Sequence, residues 1–395
     1  MQLPQGFRFA GVRCGIKAKA DRKDLTLVVG DRDLVAAGVY TQNKIVAAPV
    51  VLSRSRTPSS AVRAVVINSG NANACTGQQG DRDALAMTNL VAKACELDPS
   101  SVLVMSTGII GHKLPMDRIE QGIQSAAEQL NDSSDNFLAA ADGILTTDQG
   151  RKLAFRCEQI GDQKITFAAM AKGAGMIGPN MATMLGLVLC DANLSKIDAQ
   201  RALRVAADAS FNSISVDGHT STNDTVNLLC SGTASATPLA EEHLARFTEV
   251  LTDFCIELAK QIPADGEGAH HVIEIRVGGA DCDADAKQIA KSIADSPLVK
   301  TAVTGNDPNW GRIMSAAGYA GVLVRPELCQ LKINGSMVFD KGQPIDFDEK
   351  AISESMAADK TVVLEVTVGD GPGTSVFWTS DLTTDYVTFN SDYST

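Results

Sequence analysis

The sequence predicts an α+β fold, and three observations support this prediction. A short β-branched run, a loop of small residues and a helical pattern follow one another twice within the first 130 residues. The last third of the chain mixes alternating, strand-like runs with helical stretches. The chain of 395 residues is also longer than a single hydrophobic core usually supports. We therefore expect a main lobe over 1–275 and a C-terminal lobe over 276–395, with a soft boundary near residue 275.

The two early units each consist of a buried strand, a loop of small residues and a helix. Their ranges are 61–67, 68–77 and 81–96 in the first unit, and 101–105, 106–111 and 116–130 in the second. Loops of this kind bring backbone N–H groups close to ligands, although a plain turn is an equally good interpretation of the first loop.

The middle and end of the chain supply further elements with clear boundaries. They are a strand over 185–190, a helix from the capping box at Ser195 and Asp198 to Phe211, a long helix that begins at 237–238 and stops before Pro263, and half-exposed strands over 272–277 and 361–368. The C-terminal third therefore combines strands and helices.

Charge and hydropathy exclude several classes of function. The formal net charge is −12 and the isoelectric point is near 4.9, whereas nucleic-acid binding needs a basic surface. No run reaches the roughly 18 apolar residues of a membrane span, and the first residues lack the pattern of a signal peptide. We expect a cytoplasmic protein, or one from which a mitochondrial or plastid targeting segment was trimmed.

The nine cysteines favour reduced thiols over disulfides or zinc ligands. Their number is odd and no two of them form a C-x-x-C pair. Cys75, in a loop of small residues, is the candidate for a nucleophilic cysteine, but a packed thiol is the more frequent role. We expect neither a metal nor a resident cofactor.

The segment 170–185 is the most informative part of the chain, because a glycine-rich turn there leads to Ala182 and Thr183. Cleavage before Thr183 would give one residue both a hydroxyl nucleophile and a free α-amine, whose ordinary pKa of about 7.7–8.0 suits a base. None of the five histidines is then required as a base. The pieces would have 182 and 213 residues. From the residues alone, a turn that leads into a buried strand is the competing interpretation.

At these residues the chain resembles the ornithine acetyltransferase family, also called the glutamate N-acetyltransferase or bifunctional arginine-biosynthesis family. The shared block is Lys-Gly-Ala-Gly-Met followed by Met-Ala-Thr-Met-Leu, at 172–176 and 181–185. The resemblance covers nearly the whole chain, including the motifs at 6–11, 37–40 and 68–75. It implies self-cleavage before the threonine and a layered α/β/β/α sandwich built from both fragments, with a smaller C-terminal α/β lobe.

The resemblance also implies roles for particular residues. Thr107 and Gly108, in the motif Ser-Thr-Gly-Ile-Ile-Gly, correspond to the oxyanion hole, which acyl transfer needs to stabilise a tetrahedral oxyanion. The implied substrate contacts are Thr147 with its neighbour Thr146, Lys172, Thr183, Glu267, Asn390 and Thr395. One lysine and one carboxylate are the complement that an amino-acid substrate requires.

Three parts of the chain depart from the usual family pattern. Because of them, the sequence does not decide which acyl acceptor is used or how well acetyl-CoA is tolerated. The three parts are 149–151, His219 in place of an aspartate, and the pair His270 and His271. We interpret them as changes at the rim of the pocket. The segment 215–225 is interpreted as a hydrogen-bonded turn rather than as a set of metal ligands.

The resemblance implies that the chain transfers acetyl from N2-acetyl-L-ornithine to L-glutamate through an acetyl-Thr183 intermediate, with acetyl-CoA as a possible second donor. The fragments are expected to pair as a heterotetramer. One alternative is an N-terminal-threonine amidohydrolase or aminopeptidase in which water accepts the acyl group. Another is a dinucleotide-dependent oxidoreductase, because residues 173–178 match G-x-G-x-x-G, although no helix pattern follows them. A non-catalytic binding protein is the third.

Overall fold

The structure is a computed structural model and describes residues 1–18, 21–178 and 184–392. The strands are β1 (Phe7–Val12), β2 (Leu25–Tyr40), β3 (Ser59–Asn71), β4 (Val102–Ile109), β5 (Lys152–Ile160), β6 (Gln163–Lys172), β7 (Leu185–Cys190), β8 (Ile214–Ser215), β9 (Thr225–Cys230), β10 (Val272–Ala280), β11 (Gln330–Ile333), β12 (Ser336–Asp340), β13 (Gln343–Pro344), β14 (Thr361–Thr367) and β15 (Gly373–Ser380). The helices are α1 (Ala48–Ser55), α2 (Gly77–Cys95), α3 (Met116–Glu128), α4 (Ser134–Ile144), α5 (Lys196–Ala209), α6 (Glu241–Ala264), α7 (Asp283–Ala294), α8 (Pro297–Thr304), α9 (Trp310–Gly318), α10 (Glu349–Ala358) and α11 (Thr384–Asp392). None of these helices is long and apolar enough to cross a membrane.

The first sheet folds over on itself along the long strand β2. Its order is β4-β3-β2-β9-β7-β6-β5, with β1 also paired to β2. The first half of β2 pairs with β1 and β3, and its second half pairs with β9. Between the halves, residues 31–33 are exposed and the register with β3 shifts. The sheet therefore forms two layers, which share a buried core that includes Val28 and Ile67 from one layer and Leu187 from the other.

Helices cover the outer face of each layer. Because side chains alternate along a strand, Leu27 and Val66 point away from the shared core and pack with α2 and α3. On the other layer, Phe167 packs against Phe247 and Phe254 of α6, with ring centroids 5.7 and 5.5 Å apart. The α/β/β/α sandwich expected from the sequence is confirmed.

The second sheet and its helices form the smaller α/β lobe. The strand order is β13-β12-β11-β14-β10-β15-β8, and its core contains apolar side chains of α7, α8, α9 and α10. β8 joins this sheet from the main part of the chain by parallel pairing with β15. Residue 275 lies inside β10, so the change of sheet occurs close to that strand.

Several predicted element boundaries are wrong for physical reasons. β3 and β4 continue four residues beyond their predicted ends, because their parallel pairing extends into both loops of small residues. α6 includes Pro263, since a proline this close to the end of a helix removes few hydrogen bonds. The start of β10 is buried on both faces because β10 lies between β14 and β15. The strand over 185–190 and the Ser195 cap are confirmed.

Candidate active site

One cavity gathers all the predicted site residues that lie within the described ranges. Its volume is about 240 Å³. It is lined by Ala72, Thr107, Gly108, Ile110, Thr146, Thr147, Lys172, Gly175, Met176, Asp217, His219, Ser221, Thr222, Asn223, Glu267, Tyr386 and Asn390. The predicted residues Ala182, Thr183 and Thr395 lie outside the described residues. The structure thus joins predicted site residues that are up to 283 positions apart in the sequence, from Thr107 to Asn390.

Thr107 and Gly108 reach the cavity at the end of β4. A β-bulge interrupts the pairing of β3 and β4 at Gly70. Gly108 has a φ of +132°, and a Cβ atom there would lie 2.3 Å from the carbonyl carbon of Gly70. Only glycine fits this position. Thr107 and Gly108 therefore lie side by side in one wall of the cavity.

Lys172, the last residue of β6, is a buried cation next to Thr107. Its Nζ atom donates to Oγ1 of Thr107 at 3.3 Å. Burial lowers the pKa of Lys172, and the neighbouring Lys152 also lowers it, against the opposing effect of Asp148, Glu267 and Asp224. The ammonium group of Lys172 is consequently easier to deprotonate than an exposed lysine, and it needs an anionic partner to stay charged.

Glu267 supplies a carboxylate to the same cavity. Its Oε2 atom accepts a hydrogen bond from the side-chain amide of Asn390 at 3.0 Å. Its backbone N–H donates to the carbonyl of Ala174 at 2.9 Å. A Cβ atom on Gly175 would lie 2.3 Å from Oε2, so glycine at this position leaves room for the carboxylate. The glycine-rich turn is thus matched to Glu267.

Asp217 and Tyr386 are cavity residues that were not singled out from the sequence. The Asp217 carboxylate accepts hydrogen bonds from the N–H groups of Met176 and Ile177 at 2.7 and 2.9 Å, and from the Tyr386 hydroxyl at 3.2 Å. Burial and then Asp217 raise the pKa of Tyr386. The hydrogen-bonded turn expected at 215–225 is confirmed. Tyr386 lies one helical turn before Asn390. This spacing places both side chains on one face of a helix, and it was the sequence signal that could have identified Tyr386 as a cavity residue.

Asp224 holds the residue that follows Thr183. Its side chain is fully buried, and its Oδ1 atom accepts a hydrogen bond from the N–H of Met184 at 3.0 Å. Its Oδ2 atom has no hydrogen-bond partner within the described ranges. Burial raises the pKa of Asp224 well above its ordinary value. Because Leu185 pairs with Lys172, the chain directly after Thr183 runs beside the cavity wall.

Of the residues that depart from the usual family pattern, all of them described, only His219 lines the cavity. The interpretation that these residues change the rim of the pocket is therefore correct for His219 and wrong for the others. The other positions bind carboxylates away from the cavity: the N–H of Gln149 donates to Asp265, Arg151 pairs with Asp142, and His271 lies 3.1 Å from Asp381. His270 lies 3.8 Å from Asp385, so the two histidines face different partners. In the described parts of the chain, no group of three potential ligands could hold a metal ion.

The oxidoreductase alternative is wrong. Residues 173–178 follow β6, and the next described element after Gly178 is the strand β7. A dinucleotide fingerprint must instead open a helix whose N-terminus receives the pyrophosphate. The glycines serve the cavity, as Gly175 demonstrates through its contact with Glu267.

A second, larger groove of about 1,350 Å³ contains none of the predicted site residues. It lies between α6, α7 and β15. The lysines that line it are paired with acids: Lys260 with Glu274, Lys287 with Asp208 and Lys291 with Asp295. Its size alone gives it no chemistry, so the smaller cavity is the candidate active site.

Comparison with known proteins agrees with the family expected from the sequence. The model of the ArgJ family matches residues 8–395. The "Arginine biosynthesis bifunctional protein ArgJ" of Rhodopirellula baltica is 53% identical over 396 residues, covering 100% of this chain and 96% of that protein. The protein of the same name from Geobacter sulfurreducens is 46% identical, covering 99% of each. A crystal structure of the Bacillus halodurans protein is 41% identical with a TM-score of 0.50, covering 51% of this chain and 96% of that one.

The sandwich fold, the cavity and these relatives together define an acyltransferase. Family membership follows from the match over almost the full length. The chain belongs to the ArgJ family.

Proposed function

We propose that the chain transfers the acetyl group of N2-acetyl-L-ornithine to L-glutamate in the cyclic route of arginine biosynthesis. The observation that carries this proposal is the single cavity in which Thr107, Gly108, Lys172 and Glu267 meet. Two hydrogen-bond donors, a buried cation and a carboxylate are the groups that an amino-acid acyl donor requires. The names of the relatives, which refer to arginine biosynthesis, support the same substrate class.

The nucleophile in this proposal is Thr183, freed by self-cleavage. Its hydroxyl oxygen adds to the carbonyl carbon of Ala182, the C–N bond breaks, and the hydroxyl proton ends on the new α-amine. Water then hydrolyses the ester and leaves fragments 1–182 and 183–395. The Bacillus halodurans chain matches 51% of this chain while 96% of it is covered, which is the share that one such fragment would match.

In the transfer reaction, the α-amine of Thr183 takes the hydroxyl proton as the oxygen attacks the acetyl carbonyl. The Thr107 hydroxyl and the Gly108 N–H stabilise the oxyanion, and ornithine leaves with the proton. Glutamate then takes the acetyl group from Thr183 in a ping-pong course. Lys172 binds a substrate carboxylate and Glu267 an ammonium group, with Thr147, Thr146, Asn390 and Thr395 as further contacts.

Water is the competing acyl acceptor. A hydrolase would share the nucleophile and the oxyanion donors, so the acceptor decides between the two activities. The transferase requires that consumption of N2-acetyl-L-ornithine depend on glutamate. Equal consumption without glutamate would favour the hydrolase.

A basic loop favours acetyl-CoA as a second donor. Arg13, Lys17, Arg22 and Lys23 form no ion pair with a described carboxylate, although the chain has a net charge of −12. Arg22 donates to the carbonyl of Thr146 in the cavity wall at 3.0 Å. Such a loop can attract the phosphates of a CoA thioester. Arg22→Gln should raise KM for acetyl-CoA by a larger factor than KM for N2-acetyl-L-ornithine.

Assembly and location complete the proposal. The fragments stay together because strands of both contribute to the first sheet, and two such pairs form a heterotetramer. Light scattering after size-exclusion chromatography measures that mass. We expect the protein in the cytoplasm and without a resident cofactor, which a metal analysis and an absorption spectrum of the purified protein would test.

The deciding experiment is an intact mass spectrum combined with an acetyl-transfer assay of the wild type and Thr183→Ala. The wild type should give two fragments, one that ends at residue 182 and one that begins at residue 183, and it should transfer acetyl. The variant should remain a single inactive chain. An uncut wild type, or an active Thr183→Ala variant, would overturn the proposal.

A further inference from the structure

A row of charged side chains with alternating sign lies behind the cavity wall. It runs from Lys172 through Asp148 and Lys152 to Asp265. The Nζ atom of Lys152 donates to Oδ1 of Asp148 at 2.7 Å and to Oδ2 of Asp265 at 2.5 Å. Lys152 and Asp148 are 2% and 1% exposed, which is rare for charged residues. Neither they nor Asp265 line the cavity.

Each carboxylate of the row holds backbone next to a cavity residue, and Asp265 does so by accepting a hydrogen bond from the N–H of Gln149, two residues after Thr147, at 3.0 Å. Asp148 accepts hydrogen bonds from the N–H of Gly173, directly after Lys172, at 2.7 Å and from the N–H of Thr146 at 2.9 Å. Asp265 begins the turn that presents Glu267 two residues later. Lys152 therefore joins the two carboxylates through its charge, next to the uncharged link that the N–H of Gln149 makes to Asp265.

The electrostatics of the row make Lys152 necessary. Burial would raise the pKa of Asp148, but the Lys172 and Lys152 ammonium groups hold it well below its ordinary value. Without Lys152, Asp148 and Asp265 would face each other with no cation between them. Removing one partner from a buried group of charges leaves an uncompensated charge, and the surrounding segments must move apart or admit water.

We propose that Lys152 is a positioning residue that fixes the distance between Lys172 and Glu267, and so determines how tightly the amino-acid substrates bind. This inference rests on the substrate contacts proposed above. Lys152 takes no part in cleavage or in the chemical step. Its removal should therefore weaken binding of both donor and acceptor and leave the turnover rate nearly intact.

The test uses Asp265→Asn and Lys152→Met in the full chain. Both variants should be cut like the wild type, as measured by intact mass. KM for N2-acetyl-L-ornithine and for glutamate should rise about tenfold, the size of one lost charge-assisted hydrogen bond, with little change in kcat. If Lys152→Met does not fold, Asp265→Asn decides. Unchanged KM values, a loss confined to kcat, or an uncut folded variant would each overturn the proposal.

Glu274→Gln is the matched control. Glu274 is also a buried carboxylate, and it accepts from Lys260 at 3.0 Å, Arg276 at 2.6 Å and the Trp378 indole at 2.8 Å. It does not line the candidate active site. The control should lower the melting temperature without changing either KM. If it raises KM as much as Asp265→Asn does, general destabilisation explains the effect and the proposal fails.

A double variant separates positioning from both destabilisation and failure of the proposed function. If Asp265 acts through Glu267, the effect of Asp265→Asn on KM should disappear in a Glu267→Gln background. Additive effects would overturn the role of the row. An unchanged KM in Glu267→Gln alone would instead refute the substrate contact itself, whatever the result for Lys152.

Discussion

The main lobe and the C-terminal lobe bury different kinds of side chain. Within residues 301–378, all of them described, no polar or charged side chain is buried, and the interior consists of residues such as Ile313, Leu331 and Leu364. The main lobe buries Asp148, Lys172 and Asp224 with many other polar groups. Five of these buried polar residues line the 240 Å³ cavity, namely Thr107, Lys172, Ser221, Thr222 and Asn223.

This difference separates residues that stabilise the fold from residues that are available for chemistry. Apolar burial stabilises a fold, whereas a buried charge costs free energy unless it is paired. Residues 301–378 of the C-terminal lobe follow the first rule. The main lobe buries charged groups around the cavity despite this cost, and the clearest case is Asp224, whose Oδ2 atom has no hydrogen-bond partner among the described residues. Substitutions should therefore affect activity in one lobe and stability in the other.

The largest expected effect on activity is that of Gly108→Ala. The new Cβ atom would collide with the Gly70 carbonyl carbon at 2.3 Å and would oppose a φ of +132°. Displacing an oxyanion donor typically lowers kcat by about 100- to 1,000-fold. Gly278→Ala is the control in β10, where a Cβ atom meets nothing within 4 Å. Steady-state acetyl transfer should collapse for the first variant only, and equal losses would erase the contrast between the lobes.

The reverse effect is expected for Leu364→Ala in β14. Leu364 is fully buried in the apolar core of the C-terminal lobe. Its truncation should cost about 2–5 kcal/mol of unfolding free energy, measured by urea denaturation. The protein that remains folded should cleave itself and should keep its kcat/KM. A large loss of kcat/KM would mean that the lobe also shapes the active site.

Asp224→Asn tests the cost of a buried carboxyl group. Because burial raises the folded pKa well above the ordinary 3.8, the folded chain holds this proton to a higher pH than the unfolded chain does. Wild-type stability therefore falls as pH rises through that window, and asparagine does not titrate. The variant should gain about 1–3 kcal/mol over the wild type at pH 7, and the gain should shrink toward pH 4. Chemical denaturation at both pH values measures it, and a pH-independent difference would refute the assignment.

The sequence predicts the residues that line the site better than it predicts the residues that hold them in place. Thr107, Lys172 and Glu267 could be predicted because each lies in a short motif with a recognisable context. Lys152 and Asp265 are 113 positions apart, and no local pattern indicates that they meet. Asp217 and Tyr386 are 169 positions apart, and no local pattern indicates that they meet either.

The same distinction holds for the fold. The strand over 185–190 can be predicted because a local apolar run is enough to indicate it. The ends of β3 and β4 depend on pairing between residues such as Ser69 and Thr107, which no periodicity reports. The burial of β10 likewise depends on its two neighbours in the sheet.

A stability effect that appears only at alkaline pH is expected for Lys300, at the border between the lobes. Its side chain is buried, and its Nζ atom donates to the carbonyl of Val216 and, at 3.4 Å, to the Thr379 hydroxyl. Burial lowers the pKa of Lys300 from 10.5 to about 8, although Asp217, Asp295 and Asp381 oppose this shift.

Between these two values the unfolded chain binds a proton that the folded chain has released. Wild-type stability should therefore rise with pH from about 8 to about 10, relative to Lys300→Met, by at most about 1.4 kcal/mol per pH unit. Urea denaturation of both proteins across that range measures the difference in slope. Parallel curves would mean that Lys300 stays protonated in the fold, and the border would then hold a permanent buried charge like those around the cavity.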